Sequence, residues 1–504
     1  MVSAREMKPD TITPELAKVP DVYASTSSSS NAKEQGVKEL LLKVLPAAGG
    51  SFIEWYEFAV YGFLETYISG NFFEGHGGTL STWAGFAMTF LFRPLGGALF
   101  GYLADTLGRK MALQWTIALM LIATIGQGCL PTFHCCGEGW GWAGMVTLLA
   151  FRALQGLSAG GELSTAAVYI SEVAPREKLG FALSFISVSG AFGAFAVASG
   201  IVTLMETVLT LEQMMSWGWR IPFLISILPG IVLILSRGSL HETEDFETLI
   251  LGMIDEKNAE ANSTRLEEGS SASNVAPEGK VVAAAELSPL REVFLKHPLA
   301  LLIGTLGTAG IGAFWYVPPF LGPSMVKKYT DVVSSAVTGS EVVAYIVPSV
   351  LAPLVGIWVD RWGVGKVYLV TLLACVAATP PLFSWWAHTD LSGAYKALFI
   401  GELIVGLVQA LTSSVYLWTV ELFPVRVRTT GVSIAYNLGV GIFGGLGPLL
   451  SSAGEEVIDS RGPISAPALF TLVCALLSLL VVMLSRVLGS RSAVQLTHIR
   501  PTPY

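Results

Sequence analysis

Long apolar segments separated by short polar connections occupy most of the chain from residue 46 onward. Each segment has close to the roughly 20 residues that an α-helix needs to cross a bilayer. Gly and Pro are frequent inside them, which membrane helices tolerate because neighbouring helices satisfy the freed backbone groups. The pattern predicts an all-α membrane protein with twelve transmembrane helices, spans 1 to 12, at residues 46–69, 79–103, 111–131, 145–171, 180–204, 219–236, 298–321, 339–359, 366–386, 395–420, 430–452 and 466–488.

A loop motif occurs twice, each time between two apolar segments. Gly-x-x-x-Asp-x-x-Gly-Arg-Lys at 101–110 recurs 255 residues later as Gly-x-x-x-Asp-x-x-Gly at 356–363, and Glu-x-x-Pro at 172–175 recurs at 421–424. Parallel repeats of this kind characterise one large class of secondary transporters. The repeat predicts two homologous six-helix halves, and the expected organisation is a disordered tail, a first half, a partly disordered linker, a second half and a short tail, at residues 1–43, 44–236, 237–297, 298–488 and 489–504.

Composition excludes an ordinary soluble protein. Hydrophobic residues make up 52% of the chain and charged residues 13%, whereas soluble proteins carry about 25% charged residues. Most of the 30 Lys and Arg residues lie in the tails and after even-numbered spans, which predicts that both termini are cytoplasmic. We expect a multi-pass protein of the plasma membrane that contacts lipid and no nucleic acid, and that is a monomer.

The linker at 237–297 is too polar to cross a bilayer, because it contains twelve acidic and six basic residues. Its start, at 240–246, is compatible with one or two helical turns at the membrane surface. Its middle, from Ala259 to Val281, is rich in Asn, Ser, Gly and Glu. That composition predicts disorder.

Charged side chains inside the predicted spans are the clearest functional signal. A charge at a helix centre costs about 2.5 to 3.5 kcal/mol on insertion scales, so such residues face protein or a watery cavity. At 100° per residue, the polar side chains of span 1 share one face of that helix, and those of span 4 share another. The predicted substrate and proton pathway comprises Glu54, Glu57 and Tyr61 of span 1, Arg93 of span 2, and Arg152, Gln155 and Glu162 of span 4.

These residues suggest a division of roles. Glu54 and Glu57 are the expected proton carriers, because a carboxylate in a low-dielectric cavity binds a proton more readily. Arg93 and Arg152 are the basic residues expected to be deep enough to hold a substrate carboxylate in bidentate fashion. The alternative is that Glu54 or Glu162 pairs with Arg93 or Arg152 only to lock helices together.

The repeated loop motif predicts a gate. In a purely structural interpretation, Gly108 makes a tight turn and the basic pair keeps the loop in the cytosol. In addition, Asp105 at a helix end can pair with Arg109 and with the positive N-terminus of a nearby helix, a contact that breaks when the halves rock apart. Asp360 occupies the same position in the second copy. Val364 and Gly365 replace the basic pair there, which predicts a weaker contact.

Other candidate motifs carry little chemistry. His-Cys-Cys at 134–136 lacks the separated ligands of a structural metal site. Gly-x-Gly-x-x-Gly at 439–444 matches a dinucleotide fingerprint but lies within an apolar span and follows no strand. We therefore expect no metal and no cofactor other than the proton as coupling ion.

Five ordered motifs resemble the metabolite:proton symporter family of the major facilitator superfamily over residues 45 to 490. They are Gly-Ser-Phe-Ile-Glu-Trp-Tyr-Glu-Phe at 50–58, Phe-Arg-Pro-Leu-Gly-Gly at 92–97, Gln-Gly-Leu-Ser-Ala-Gly-Gly-Glu at 155–162, Trp-Gly-Trp-Arg-Ile-Pro-Phe at 217–223 and Glu-Leu-Phe-Pro-x-x-x-Arg at 421–428. The resemblance implies the major facilitator fold and proton-driven transport of small zwitterions such as proline and betaine, or of organic acids such as 2-oxoglutarate. It implies no enzymatic activity.

The chain departs from the family pattern at three positions. Ser51 replaces the usual Asn, Glu57 replaces Asp, and Ser187 stands where the proline and betaine branch has an acidic residue. An osmosensory betaine carrier is therefore less expected than an organic-acid carrier. The function predicted is proton-coupled symport of a small carboxylate-bearing metabolite. The alternatives are an uncoupled facilitator, which needs fewer intramembrane carboxylates, and a non-transporting membrane sensor.

Overall fold

Helices make up the regular structure of the described residues. The computed structural model describes residues 36–73, 78–268, 288–330, 332, 334–455, 457–458, 461 and 464–490. In the first half the helices are α1 (Val37–Ala48), α2 (Gly50–Phe63), α3 (Glu65–Ile68), α4 (Gly78–Leu107), α5 (Arg109–Gly128), α6 (Phe133–Val173), α7 (Leu179–Val188), α8 (Phe195–Val208), α9 (Leu211–Gln213), α10 (Arg220–Ile225) and α11 (Ile227–Gly238).

The linker and the second half continue this helical pattern. Two linker helices precede the second half, α12 (Glu244–Glu268) and α13 (Pro289–Lys296). The second half contains α14 (Pro298–Thr330), α15 (Ser334–Trp362), α16 (Val364–His388), α17 (Leu391–Leu411), α18 (Val415–Val420), α19 (Arg428–Tyr436), α20 (Gly447–Gly454) and α21 (Ala466–Ser490).

Nine helical segments of the described chain are long and apolar enough to cross a membrane. They coincide with spans 2, 3, 6 and 7 to 12: Ala87–Leu107, Arg109–Gly128, Arg220–Gly238, Pro298–Thr330, Gly339–Trp362, Val364–His388, Leu391–Val420, Val425–Gly454 and Ala466–Val487. Spans 1 and 5 are helical but interrupted, and span 4 lies in α6, which carries buried charges. The membrane-spanning helical fold is confirmed, whereas the count of twelve stays a prediction.

Two spans contain π-helical segments near their middle. Ser189–Ala194 joins α7 to α8 in span 5, and Asn437–Gly444 follows α19 in span 11. These two spans occupy equivalent positions in the two halves. Each begins with the helix that meets the opposite half, since α7 packs against α15 and α19 packs against α4.

The predicted disorder of the linker is wrong for residues 259–268, because α12 extends to Glu268. Three acidic residues in its first turn stabilise this helix by interacting with the partial positive charge at its N-terminus: Glu244, Asp245 and Glu247. The hydroxyl of Thr243 caps this end by accepting a hydrogen bond of 3.3 Å from the Phe246 amide. Residues 269–281 of the predicted disordered segment lie outside the described residues.

Candidate transport site

Arg93 and Glu54 form an ion pair in the middle of the bundle. Arg93 Nη2 donates to Glu54 Oε1, and the two residues are only 2% and 0% exposed. The guanidinium carbon lies 5.0 Å from the centre of the Phe58 ring and 5.5 Å from that of the Phe90 ring. Within the described chain, Glu54 Oε2 and Arg93 Nε are buried and have no hydrogen-bond partner. The pair therefore has donor and acceptor capacity left for a ligand.

This ion pair lies where the two halves meet. Arg93 interacts with the hydroxyl of Tyr316 of α14. The Tyr316 ring also makes an edge contact with Phe90, at 5.5 Å between ring centres. A methyl group on Gly441 of span 11 would lie only 3.9 Å from Arg93 Cδ. Spans 7 and 11 of the second half therefore cover a charged pair that belongs to the first half.

Aromatic rings surround the same place. Trp55, the residue after Glu54, lies 6.4 Å from Tyr316 and 6.5 Å from Trp315 between ring centres. It also lies 5.9 Å from Phe195 of α8. Trp55 thus contacts the second half through two rings. The interface beside Arg93 combines one buried charge pair with an aromatic lining.

Glu57 and Arg152 belong to a second network, which closes into a ring. Arg152 Nη1 donates to Glu57 Oε1 and to Gln155 Oε1, both at 2.9 Å. Gln155 Nε2 donates to Thr124 Oγ1 at 3.2 Å, and that hydroxyl donates to Glu57 Oε2 at 3.3 Å. Tyr61 packs against the guanidinium at 4.1 Å. The ring joins spans 1, 3 and 4 within the first half.

Glu162 joins neither network, and its predicted place in the substrate and proton pathway stays a prediction. Its carboxylate accepts hydrogen bonds from Arg237 Nη1, at 3.0 Å, and Nη2, and from Thr116 Oγ1, at 2.5 Å. Arg237 Nε also donates to the Pro46 carbonyl at 3.1 Å. Ten residues of helix separate Glu162 from Arg152, about 15 Å along the axis. The pair ties together spans 1, 3, 4 and 6.

Arg237 was not among the basic residues that the sequence indicated as deep. It follows the predicted end of span 6 by one residue and was therefore assigned to the linker, yet it is buried. Thr124 was also missed, because a single hydroxyl on an apolar helix gives no signal of its own. Cys135 and Cys136 form a disulfide bond with each other.

Asp105 holds the N-terminus of α19, and we call this contact the first latch. Its carboxylate accepts hydrogen bonds from the amides of Thr429 and Thr430, at 3.1 and 2.8 Å. Arg109 Nη1 lies 3.5 Å from the same carboxylate. Because the two free amides at a helix start carry partial positive charge, the carboxylate is well placed there. The predicted pairing with a basic residue and a helix N-terminus is present, and the contact joins the two halves.

Asp360 makes the equivalent second latch with the N-terminus of α7. It accepts hydrogen bonds from the amides of Gly180 and Phe181, at 2.7 and 2.9 Å. These residues precede Thr429 and Thr430 by 249 positions, the same offset that relates Glu172 to Glu421. The two latches are thus copies of one contact, and both lie at the same end of the bundle, which we call the latch side.

Arg109 adds a buried ion-pair network to the first latch. Its Nε and Nη2 atoms donate to the two carboxylate oxygens of Glu172, at 3.0 and 3.2 Å. Arg428 donates to the same carboxylate at 3.0 Å, and Arg109 reaches the Val425 carbonyl at 3.0 Å. Two of these contacts cross between the halves. Gly108, with φ at 108°, provides the turn before Arg109, and Gly363, with φ at 93°, provides the turn in the second copy.

The start of the linker packs onto the first latch, which the sequence did not indicate. Glu242 accepts hydrogen bonds from the amides of Arg109 and Lys110, at 3.0 and 3.2 Å. The Thr243 hydroxyl donates to Glu172 at 2.7 Å. The guanidinium of Arg109 lies 4.9 Å from the Phe246 ring centre. The polar run at 240–246 is therefore part of the latch.

Comparison with known proteins identifies the family. The Sugar (and other) transporter family matches residues 43–485 of this chain. The chain belongs to that family, within the major facilitator superfamily. The fold is similar to that of XylE, described as a major facilitator proton:xylose symporter, with a TM-score of 0.69 at 14% identity over 92% of this chain and 97% of the other. The protein is accordingly a transporter and not an enzyme.

Relatives of known name are carriers of small solutes. The chain is 32% identical to the ectoine/proline transporter ProP of Corynebacterium glutamicum, over 84% of this chain and 79% of that protein. It is 28% identical to a proline/betaine transporter of Salmonella typhimurium, over 87% and 82%. It is 27% identical to the alpha-ketoglutarate permease of Escherichia coli, over 84% and 89%. The resemblance to the metabolite:proton symporters is therefore confirmed.

Proposed function

We propose that this protein is a proton-coupled symporter of a small carboxylate-bearing solute, working by alternating access. The observation that carries the proposal is the buried Arg93–Glu54 pair at the interface of the halves, with unsatisfied atoms on both partners. A buried ion pair is a weak source of stability. Its position and its spare hydrogen-bonding capacity favour a working site over a helix lock.

The geometry suggests how proton and substrate are linked. While Glu54 is ionised, it occupies the guanidinium of Arg93. Protonation removes the negative charge of Glu54, and Arg93 is then free to hold a substrate carboxylate in bidentate fashion. When the substrate leaves, Glu54 gives up its proton and the pair forms again. One carboxylate is thus exchanged for another on the same guanidinium.

The aromatic lining favours a zwitterion. Trp55, Trp315 and Tyr316 lie next to Arg93 and are polarisable rings that bind quaternary or secondary ammonium groups by cation–π attraction. A proline- or betaine-like solute would place its carboxylate on Arg93 and its cationic end among these rings. The named relatives carry ectoine, proline, betaine or alpha-ketoglutarate, and the first three have both charges.

The other predicted residues receive narrower roles in this proposal. The ring of Glu57, Arg152, Gln155 and Thr124 lies one helical turn from Glu54 and is the next place for a proton within the first half. Tyr61 packs on the guanidinium of Arg152 and keeps it in place. Glu162 pairs with Arg237, and in this proposal that pair holds helices together and carries no proton.

The two latches act as the gate. Because both are formed on the latch side, the two halves are closed there. Asp105, Gly108, Arg109 and Asp360 are the gating residues of the proposal. We place the latch side, both termini and the linker in the cytoplasm of a plasma-membrane monomer, following the distribution of basic residues. The closed latches then belong to a state that is shut toward the cytoplasm.

Uptake into proteoliposomes tests the proposed function. Purified protein is assayed with glycine betaine, proline, ectoine and 2-oxoglutarate, with and without an inward-directed pH gradient. We expect the gradient to drive accumulation of at least one zwitterion. Uptake that equilibrates and ignores the gradient would indicate an uncoupled facilitator, and binding without uptake would indicate a sensor.

Variants of the pair separate binding from coupling. Arg93→Gln should abolish substrate binding, whereas Glu54→Gln should bind substrate and exchange it but lose proton-driven accumulation. Glu57→Gln is expected to lose accumulation as well. Glu212→Gln and Arg291→Gln are matched controls at exposed positions and should behave as wild type. Normal affinity in the Arg93 variant, or full accumulation in both buried Glu variants, would contradict the proposal.

Orientation has its own test. Asn262, in the sequon Asn-Ser-Thr at 262–264, lies in the linker. It should stay unmodified when the protein is made in a eukaryotic host, because glycosylation occurs on the lumenal side. A glycan mapped to Asn262 would reverse the assignment.

A further inference from the structure

The second half contains two acidic residues inside its spans that the pathway described above does not use. Glu341 lies near the start of α15, and Glu402 lies in the middle of α17. The helices α15 and α17 pack closely against each other. A methyl group placed on Gly339 would lie 4.0 Å from the Phe399 ring, and one on Gly406 would lie 2.9 Å from Val347 Cβ. These contacts bracket the two acidic residues and place them at the same level.

Glu402 differs from the buried acidic residues of the first half. Glu54, Glu57 and Glu162 are each paired with an arginine. Glu402 is fully buried, and neither of its carboxylate oxygens has a hydrogen-bond partner within the described chain. An ionised carboxylate in that position would carry a large desolvation cost with nothing to offset it. Something positive must therefore neutralise it.

The groups around Glu402 do not include a positive partner. Glu341 is the charged group that acts on Glu402, and its effect is repulsive. Tyr345, one turn below Glu341 on α15, is the other titratable group beside the two carboxyls. The basic residues of α14 and α17, which are Lys327, Lys328 and Lys396, are exposed near the helix ends, and Arg361 lies at the far end of α15. None of them is among the groups that act on the Glu402 carboxyl.

We propose that Glu341 and Glu402 form a carboxyl pair that binds a proton between α15 and α17, as a protonation site of the second half separate from Glu54 and Glu57. Two carboxyl groups sharing one site cannot both ionise cheaply, so they hold at least one proton between them. Neither oxygen of Glu402 has a hydrogen-bond partner in the described chain, which fits a proton better than a cation that needs several oxygen ligands.

Tyr345 connects this pair to the interface of the halves. Its ring stacks on Phe195 of the first half, with ring centres 4.3 Å apart and an angle of 8° between planes. Phe195 in turn contacts Trp55 at 5.9 Å. A change of charge at Glu341 and Glu402 therefore acts one helical turn from an aromatic contact that the halves must break to move apart.

Infrared spectroscopy of the purified full-length protein in lipid tests the proposal without any transport assay. Protonated carboxyl groups absorb apart from ionised ones, and the band shifts in heavy water. We expect wild type to show this band near neutral pH, and Glu402→Gln to lose the component that belongs to the pair. Glu455→Gln removes a partly exposed carboxylate bonded to Lys328 and is the matched control, which should keep the band. Glu341→Gln, at a half-buried position, provides a second variant should Glu402→Gln fail to fold, and it should alter the same component.

Two results would overturn the inference. One is an unchanged carboxyl band in both Glu402→Gln and Glu341→Gln. The other is a pair component that is missing in sodium buffer and present when sodium is replaced by N-methylglucamine, which would make the occupant a metal cation. Because no substrate is needed, loss of this band leaves the proposed symport untouched. Loss of symport in Glu54→Gln with the band intact likewise leaves the carboxyl pair standing.

Discussion

The two latches use the same backbone contact in different surroundings. Asp105 and Asp360 each accept two amide hydrogen bonds from the start of a helix in the opposite half. Around Asp105, the side chain of Arg109 and the carboxylate of Glu172 extend the contact through several buried hydrogen bonds. At the equivalent position after Asp360 the chain has Val364 and Gly365. Duplication thus preserved the helix-capping contact, while valine replaces the latch arginine in the second copy.

This difference teaches that the closure of the two halves has a general part and a specialised part. The general part needs only a carboxylate and two free amides, which any helix start provides. The specialised part needs the planar fork of arginine, which holds a carboxylate and carbonyls at once. Glu242 and Thr243 of the linker bind the first latch.

Asp105→Asn should produce the largest effect. Asn keeps an acceptor oxygen but loses the charge and one of two charge-assisted hydrogen bonds, about 2 kcal/mol and roughly a 30-fold shift of the closed-to-open equilibrium. Asp360→Asn should shift it less, because Val364 stands where the first latch has Arg109. Distances between spin labels at the exposed positions Leu107 and Trp362 measure the shift, and initial uptake rate at matched expression should fall in the same order. Equal effects of the two variants would end the argument for asymmetry.

Arg109→Lys should come next. Lysine keeps the charge but cannot contact Glu172 through two atoms and the Val425 carbonyl as well, so about 1.5 kcal/mol of closure is lost, roughly tenfold. Lys110→Arg is the control, since Lys110 makes one exposed hydrogen bond, at 3.3 Å to Gly238. The same label distances report the outcome. A wild-type distribution for Arg109→Lys would show that charge alone maintains the latch.

The two turn glycines offer a smaller, graded comparison. Both have positive φ with extended ψ, a region that side chains rarely adopt, so alanine costs about 1 to 3 kcal/mol at either position. At Gly108 the added methyl would also lie 2.2 Å from Glu242 Oε2, whereas at Gly363 it would meet nothing within 4 Å. We expect Gly108→Ala to lower thermal stability more than Gly363→Ala and to release the linker. Protease sensitivity of the linker, compared between the two variants, reads out that release.

Glu242→Gln should have the smallest effect. The glutamine oxygen can still accept from one of the two amides, but the other amide loses its acceptor and the charge beside Arg109 is lost, about 0.5 to 1 kcal/mol at this partly exposed site. Uptake should change less than twofold, with the linker becoming more accessible to protease. A defect as large as that of Asp105→Asn would mean that the linker, and not the aspartate, closes the first latch.

Much of this arrangement could be predicted from the sequence, because membrane helices and repeats leave strong patterns. The apolar runs predicted the spans, and the repeated motif predicted that Asp105 meets a helix N-terminus. The identity of that helix could not be predicted, because Thr429 lies more than 300 residues away. Its contact uses the backbone N–H, a group common to nearly all residues, which leaves no signal in the sequence. The partner of Glu162 could not be predicted either, because Arg237 lies 75 residues away and just past the end of an apolar run.

The linker was the least predictable region. Its composition resembles that of a disordered segment, but capping by Thr243 and the acidic first turn make a helix of its first part. Residues 240–246 bind the latch through the side chains of Glu242, Thr243 and Phe246. Average polarity does not predict a contact that depends on a few particular side chains in the right order.

The π-helical segments give the latches a mechanical meaning. The two helices that the aspartates hold, α7 and α19, each run into such a segment within one to three turns, at Ser189–Ala194 and Asn437–Gly444. A π-turn replaces the regular α-helical hydrogen bonds by wider ones and is a place where helices bend. When one end of such a span moves, the helix can therefore bend at the π-helical segment, and the other end can keep its position. Spans 5 and 11 thus each have a hinge beside the aromatic interface, and each hinge belongs to a helix that a latch aspartate holds.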